Sequence, residues 1–133
     1  MRAVRTHGWN HVFPERSWDD IASFLGGMAE QHESFGYQDA IVQSVLVSGG
    51  RESLAGLTSM HDLVVTSTPV SAPPLDVVIV RAPNSLHRPS VGHVLIEQQS
   101  VTGHDDRIER PADEAVPLFW RFMIEKFGVH PVR

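Results

Sequence analysis

The sequence predicts a single α+β domain over residues 1–133, in which an antiparallel sheet of four or five strands packs against two main helices. Three observations support this fold class. The length of 133 residues, 41% of them hydrophobic, is close to that of one ordinary domain. Short β-branched runs separated by turn residues fill the middle of the chain, which favours antiparallel pairing. Clear helical periodicity occurs near the N-terminus and at the C-terminus.

The first helix is predicted over residues 17–35. Ser17 can act as its N-cap, and two aspartates in the first turn interact favourably with the helix dipole. One face repeats every three or four positions, through Trp18, Ile21, Leu25, Met28, His32 and Phe35. Gly36 is the expected stop. Residues 2–12, which precede this helix, show no clear period and are interpreted as a short strand or an arm.

Five strands, the last of them a short edge strand, are predicted between the two helices. Residues 40–47 (AIVQSVLV) and 61–68 (HDLVVTST) are rich in β-branched residues and are followed by glycines or prolines. Residues 75–81 (LDVVIVR) form a nearly continuous apolar run, which is typical of a central strand buried on both faces. Residues 91–101 begin apolar and become polar, and residues 107–110 are expected to pair back at the edge.

The second helix is predicted over residues 114–127, and its apolar residues form two stripes rather than one. One of these stripes contains Val116, Trp120 and Ile124. A helix this apolar is buried on more than one side, whereas a sheet covers only one. We therefore expect this stripe either to complete the core or to form part of a surface for a protein partner or a second copy of the chain.

The composition excludes several classes of site and partner. The chain has no cysteine, which excludes disulfide scaffolds, thiolate zinc sites, iron–sulfur clusters and cysteine nucleophiles. The formal net charge is −5 with neutral histidines, and the basic residues form no cluster, so no nucleic-acid binding is expected. No apolar run has transmembrane length and no secretory signal is recognised, so we expect no membrane partner and a cytoplasmic location.

A candidate ligand pocket lies on the fourth predicted strand. His93 and Glu97 alternate onto one face of this strand, and Arg81 joins them if the central strand pairs with it. The two side chains are about 13 Å apart, at roughly 3.3 Å per residue, so they can flank a ligand but cannot share a proton. The alternative is a solvated sheet face with cross-strand ion pairs. The nearby His87 and Arg88 are interpreted as an exposed loop, with contact to an anion as the alternative.

The eight histidines do not form a recognised metal site. His7 and His11 have the spacing of a helical zinc pair, but the residues between them disfavour a helix and neither histidine has an adjacent glutamate. The segment 104–106 is typical of a polar hairpin turn, and His61 and Asp62 point to opposite faces of a strand. The glycine-rich loops GxGxxG and GxxxxGKS/T do not occur, so neither a metal nor a cofactor is expected.

Two functions remain open from the sequence. The first is a non-catalytic protein-binding module that docks on or neutralises a protein partner, including as a homodimer. It rests on the aromatic residues, methionine and arginine of the C-terminal helix, which are enriched in interfaces, and on the lack of a catalytic motif. The alternative is a small-molecule-binding protein or small enzyme with Arg81, His93 and Glu97 in a polar pocket on the sheet face. No motif resembles that of a known family.

Overall fold

The computed structural model describes residues 7–131. The elements follow the order α1 Trp18–Gln31, α2 Gly36–Leu46, β1 Leu54–Ser59, β2 Asp62–Ser67, β3 Val77–Val80, β4 His93–Gln99, β5 Arg107–Pro111 and α3 Ala115–Phe122. Short 3-10 turns precede α2, β1 and α3, and a π-helical turn continues α3. The five strands form one antiparallel sheet in sequential order, which confirms the predicted α+β class.

The sheet is buried on both faces, and its central strand contributes to both cores. Val78 and Val80 of β3 pack on the side of the three helices. Val77 and Ile79 point to the opposite side, where they pack with Phe13 of the N-terminal segment. β3 is the third of five strands, so its unbroken apolar sequence matches its central position.

The N-terminal segment lies along the sheet face opposite the helices. Trp9 forms an isolated antiparallel bridge with Leu75, in which the Trp9 N–H donates to the Leu75 carbonyl at 2.8 Å. Arg16 forms a second isolated bridge with Gly56 of β1. Of residues 2–12, predicted as a strand or an arm, residues 2–6 lie outside the described part of the chain.

The prediction of a strand at residues 40–47 is wrong, because these residues belong to α2 and the turn after it. The buried side chains of α2 recur with helical spacing: Tyr37, Gln38, Ile41, Val42 and Val45. This face packs against α1 and α3. The β-branched residues favour a strand by only a few tenths of a kcal/mol each, and burial of a whole helix face outweighs that preference.

The first predicted helix, 17–35, is in fact shorter. α1 ends at Gln31, and Glu33–Phe35 forms a 3-10 turn that leads directly into α2. Ser17 caps α1 as expected, since its hydroxyl accepts from the Asp20 N–H at 3.1 Å. Gly36, expected as a stop, instead begins α2 with a helical φ of −55°. The two helices thus form a hairpin where one helix was expected.

Strand β1 was not predicted because Gly56 interrupts its short apolar sequence. The structure shows why a glycine lies there. A Cβ atom at position 56 would be 2.9 Å from both Ile21 Cδ1 and Trp18 Cη2. In addition, Trp18 Nε1 donates to the Leu54 carbonyl at 3.0 Å. Helix α1 therefore packs directly on the backbone of β1.

We expect two glycine-to-alanine substitutions to change stability in opposite directions. Gly56→Ala should lower the free energy of unfolding by about 1–3 kcal/mol, because the new methyl group overpacks the α1–β1 contact. Gly27→Ala, within α1 and with no atom within 4 Å of the new Cβ, should raise it by up to about 1 kcal/mol. Urea denaturation measures both, and a stabilising Gly56→Ala would contradict the close packing described here.

Candidate ligand-binding cleft

The structure separates the three residues predicted to line one pocket. β3 pairs with β4 in the register Ile79↔Glu97, which places Arg81 beside Glu97. His93, at the beginning of β4, instead lines a cleft that is formed in part by the loop after β3. Two of the three predicted residues therefore belong to an ion cluster, and the third belongs to the cleft.

The ion cluster is centred on Arg81, which bridges two carboxylates. Arg81 Nη1 donates to Asp62 Oδ2 at 2.9 Å, and Nη2 donates to Glu97 Oε1. All three side chains are largely buried, with exposed fractions of 13–14%. Arg107 Nε lies 3.7 Å from Glu97 Oε2, so the cluster contains two cations and two anions. The charges are balanced, as a mostly buried ionic group requires.

Asp62 also fixes the loop after β3. Its Oδ1 accepts the Ala82 N–H at 2.8 Å, and its Oδ2 accepts the Ser85 hydroxyl at 3.2 Å. Residues 83 and 88–92 of this loop form one wall of the cleft. The ion cluster therefore positions the cleft wall without lining the cleft.

The cleft has a volume of about 590 Å³, within the usual range of small-molecule sites. The 3-10 turn before α2 and the start of α2 form the opposite wall. The apolar lining of the whole cleft comes from Tyr37, Pro83, Pro89, Val91 and Ala112. This combination of walls brings together parts of the chain that are distant in sequence.

The cleft lining contains one histidine, one arginine and one glutamate, beside two serines. His93 Nδ1 lies 3.1 Å from the Val91 carbonyl, and since a carbonyl only accepts, Nδ1 carries a proton and Nε2 remains for a ligand. Arg88 is exposed on the loop wall, and Glu33 is exposed on the helical wall. Within residues 7–131, neither Arg88 nor Glu33 forms an ion pair.

Tyr37 connects the cleft with the ion cluster. Its ring lines the cleft, and its hydroxyl donates to the Arg81 carbonyl. Burial, aided by the negative charge of Asp62, raises the pKa of the Tyr37 phenol well above its ordinary value. The phenol therefore stays protonated and keeps donating throughout the physiological pH range. Tyr37 falls in the connection predicted between residues 35 and 40, so no periodic pattern marked it as a site residue.

The apolar stripe of the C-terminal helix is only partly available to a partner. Trp120 is buried, and its Nε1 donates to Ser44 Oγ of α2 at 3.0 Å. Val116 is half-buried against the core, and Ile124 is exposed. The second side of α3 is covered by α2, the helix that was mistaken for a strand. Of the three residues predicted to contact a partner, Ile124 is the one with a substantially exposed side chain.

The aspartates of the acidic turn at 104–106 bond to other parts of the protein. Asp105 Oδ1 accepts the Ser100 N–H at 2.8 Å, and Asp106 pairs with Lys126. The hydrogen bond and the charge of Lys126 hold the pKa of the Asp106 carboxyl below its usual range. In the part of the chain that is described, no three histidine or acidic side chains come together as a metal site. Nor is any described helix long and apolar enough to cross a bilayer.

No family model, curated protein or solved structure matches this chain.

We expect Asp62→Asn to lower the free energy of unfolding by about 2–4 kcal/mol, since it leaves the largely buried Arg81 with one anionic partner. The matched control is Asp19→Asn. Asp19 is 77% exposed in its pair with Arg51, and its substitution should change stability by less than about 1 kcal/mol. Equal effects of the two variants in urea denaturation would contradict a structural role for the ion cluster.

A second prediction concerns alkaline pH. Tyr37 is the single tyrosine of the chain, so phenolate absorbance reports on this residue alone. Its pKa is raised in the folded state, so its contribution to stability is complete below the ordinary pKa of 10.0 and is lost as the pH rises above that value. We expect the phenolate absorbance to rise together with unfolding of the protein. Circular dichroism measures the unfolding. Titration near pH 10 in a protein that remains folded would contradict the burial of the phenol.

Proposed function

We propose that this protein binds a small organic acid with an apolar body in the cleft at His93. The observation that carries the proposal is the presence, in one cleft of suitable volume, of an apolar lining and of Arg88 and His93. Binding is all that is proposed, and no chemical step is assigned. This is the small-molecule alternative from the sequence, without Arg81 and Glu97 as ligand contacts.

The apolar lining supports a ligand with a hydrophobic body. Pro83 and Pro89 of the loop wall, Tyr37 of the helical wall and Ala112 contribute apolar surface to the cleft. Removing apolar surface of a ligand from water contributes about 25 cal/mol per Å². Prolines lose little conformational freedom on binding, so such a wall is largely pre-formed.

The charged lining supports an anionic group at one end of the ligand. The Arg88 guanidinium presents paired donors that match a carboxylate, and His93 Nε2 adds a third donor when the imidazole ring carries a second proton. Glu33 on the helical wall repels a second anionic group and accepts from an N–H or O–H group. The cleft is thus better suited to a monocarboxylate than to a dicarboxylate.

Docking on a protein partner, the function placed first from the sequence, remains a second candidate. The C-terminal helix gives this function little support, because Trp120 is buried against α2. The observation that now favours it is the exposed outer edge of β5.

The cleft proposal predicts that benzoate, phenylacetate or isovalerate raises the thermal unfolding temperature, because a ligand that binds only the folded state stabilises it. Benzamide, which has the same ring without the charge, should have a much smaller effect. His93→Ala and Arg88→Ala should each reduce the carboxylate-induced shift by more than half.

The matched control is His87→Ala, in the same loop but outside the cleft lining, which should retain the full shift. Native mass spectrometry gives the stoichiometry, which should be one ligand per chain. The proposal is overturned if none of the three carboxylates shifts the unfolding temperature, or if all variants respond as the unmodified protein does.

A further inference from the structure

The outer edge of β5 has an unusual order of charges. β5 is the last strand of the sheet and is mostly exposed, and within residues 7–131 no other strand pairs with its outer side. The sequence from Asp106 to Arg110 is Asp-Arg-Ile-Glu-Arg. Arg107 and Glu109, which flank Ile108, have opposite charges. Asp106 and Arg110, the next residues outward, also have opposite charges.

The hydrogen bonds to β4 determine which backbone groups of β5 point outward. The Gln98 N–H donates to the Asp106 carbonyl at 2.8 Å, and the Ala112 N–H donates to the Gly92 carbonyl at 2.9 Å. Even-numbered residues of β5 therefore direct their backbone groups toward β4. Because these directions alternate along a strand, the N–H and C=O groups of Arg107 and Glu109 point to the open edge.

We infer that two copies of this protein pair antiparallel through β5 about a two-fold axis at Ile108, which joins the two sheets into one continuous sheet. In this register, Arg107 faces the partner's Glu109 and exchanges both backbone hydrogen bonds with it. The same exchange occurs on the other side of the axis, so each side contributes a pair of backbone hydrogen bonds and a cross-strand ion pair. This self-association is independent of the ligand proposed for the cleft.

Other two-fold registers lack this complementarity. A pairing that uses the outward backbone groups of both strands must be centred on residue 107, 108 or 109. Centring it on residue 107 places Arg107 opposite the partner's Arg107, and centring it on residue 109 places Glu109 opposite the partner's Glu109. Like charges directly opposite each other destabilise a strand pair, whereas opposite charges stabilise it. The charge order therefore selects the axis at Ile108.

The side chains on the helix face of the sheet agree with the same axis. Ile108, which is half-buried against the helix-side core, faces the partner's Ile108. Asp106, already paired with Lys126 but still partly exposed, faces the partner's Arg110. Each pair across the axis is thus either apolar on apolar or opposite in charge.

Two features of β5 limit the pairing without preventing it. Pro111 ends the strand, and its missing N–H lies on the outward side, so the pairing cannot extend further. Arg110 Nη1 donates to the Glu109 carbonyl at 3.0 Å, a contact that the partner's Arg107 N–H replaces or shares. Charges and a proline on an edge normally discourage pairing with arbitrary strands. A strand with the complementary charge order is not discouraged in this way. A second copy of β5 has that order, because it runs in the opposite direction and brings its Glu109 to Arg107.

The size of the contact determines the expected affinity. A single short strand pair is at the lower end of specific interfaces, so we expect a dissociation constant in the micromolar range. Exposed ion pairs are screened by salt, so added sodium chloride should weaken the association. Sedimentation velocity from low micromolar to several hundred micromolar protein covers the transition.

The decisive test uses two charge reversals. Glu109→Arg places Arg107 opposite the arginine introduced in the partner, and Arg107→Glu places two glutamates opposite each other, so each variant alone should be monomeric. Mixed in equal amounts, each variant supplies the charges that the other lacks. In this mixed pair, both arginines of the Glu109→Arg chain face the two glutamates of the Arg107→Glu chain, so the mixture should dimerise.

Rescue is also expected when both reversals are in one chain. In the double variant Arg107→Glu with Glu109→Arg, each glutamate again faces an arginine across the axis at Ile108, so dimerisation should return with an affinity close to that of the unmodified protein. Circular dichroism checks that each variant folds, which is needed because Arg107 also lies 3.7 Å from Glu97 of its own chain.

The matched control is Glu30→Arg, an equal change of charge on α1, the helix that packs over the opposite edge strand β1. It should dimerise normally.

If the variants at residue 107 do not fold, Glu109→Pro replaces them. This proline removes an outward N–H and leaves the β4 hydrogen bonds intact, so the variant should be monomeric. A monomeric unmodified protein at every concentration, or dimerisation of Glu109→Arg with unchanged affinity, overturns the inference.

Discussion

The buried ion pairs of Arg81 hold together the part of the molecule on which the candidate site depends. They connect the start of β2, the end of β3 and the middle of β4, and Asp62 extends them to the loop that forms a cleft wall. Tyr37 of α2 attaches to the same point through the Arg81 carbonyl. A charge cluster in this position requires balanced partners, because an unpaired buried ion is strongly destabilising. The cleft is therefore a consequence of this cluster and of the helix hairpin opposite it.

The two faces of the sheet have different roles. The helix face carries the main core, and the contact of α1 with the backbone of β1 at Gly56 determines how closely the helices approach. The opposite face carries a smaller core under the N-terminal segment and, beside it, the ion cluster. The outer side of β5 lies away from both cores, at the end of the sheet opposite β1. Ligand binding and self-association, as proposed, use different surfaces of the same domain.

The candidate site was only partly predictable. The alternation of His93 and Glu97 on one strand face is correct, and so is the approach of Arg81 to Glu97. The pocket nevertheless divides, because the charge of Arg81 is satisfied by two carboxylates and is not directed toward His93. Asp62 is the residue that decides this, and it lies 19 positions from Arg81 in the chain. No local pattern of residues indicates which distant carboxylate completes an ion pair.

The sequence by itself determined the α+β class, the central apolar strand, the N-cap of α1 and the charge order of β5, since each depends on neighbouring residues. Only the tertiary structure decided that residues 36–46 form a helix, that this helix covers Trp120, and that the cleft lies between its start and the loop after β3. The physical reason is one of magnitude. Local preferences differ by less than about 1 kcal/mol per residue, whereas burying one large apolar side chain contributes about 1.5–3 kcal/mol.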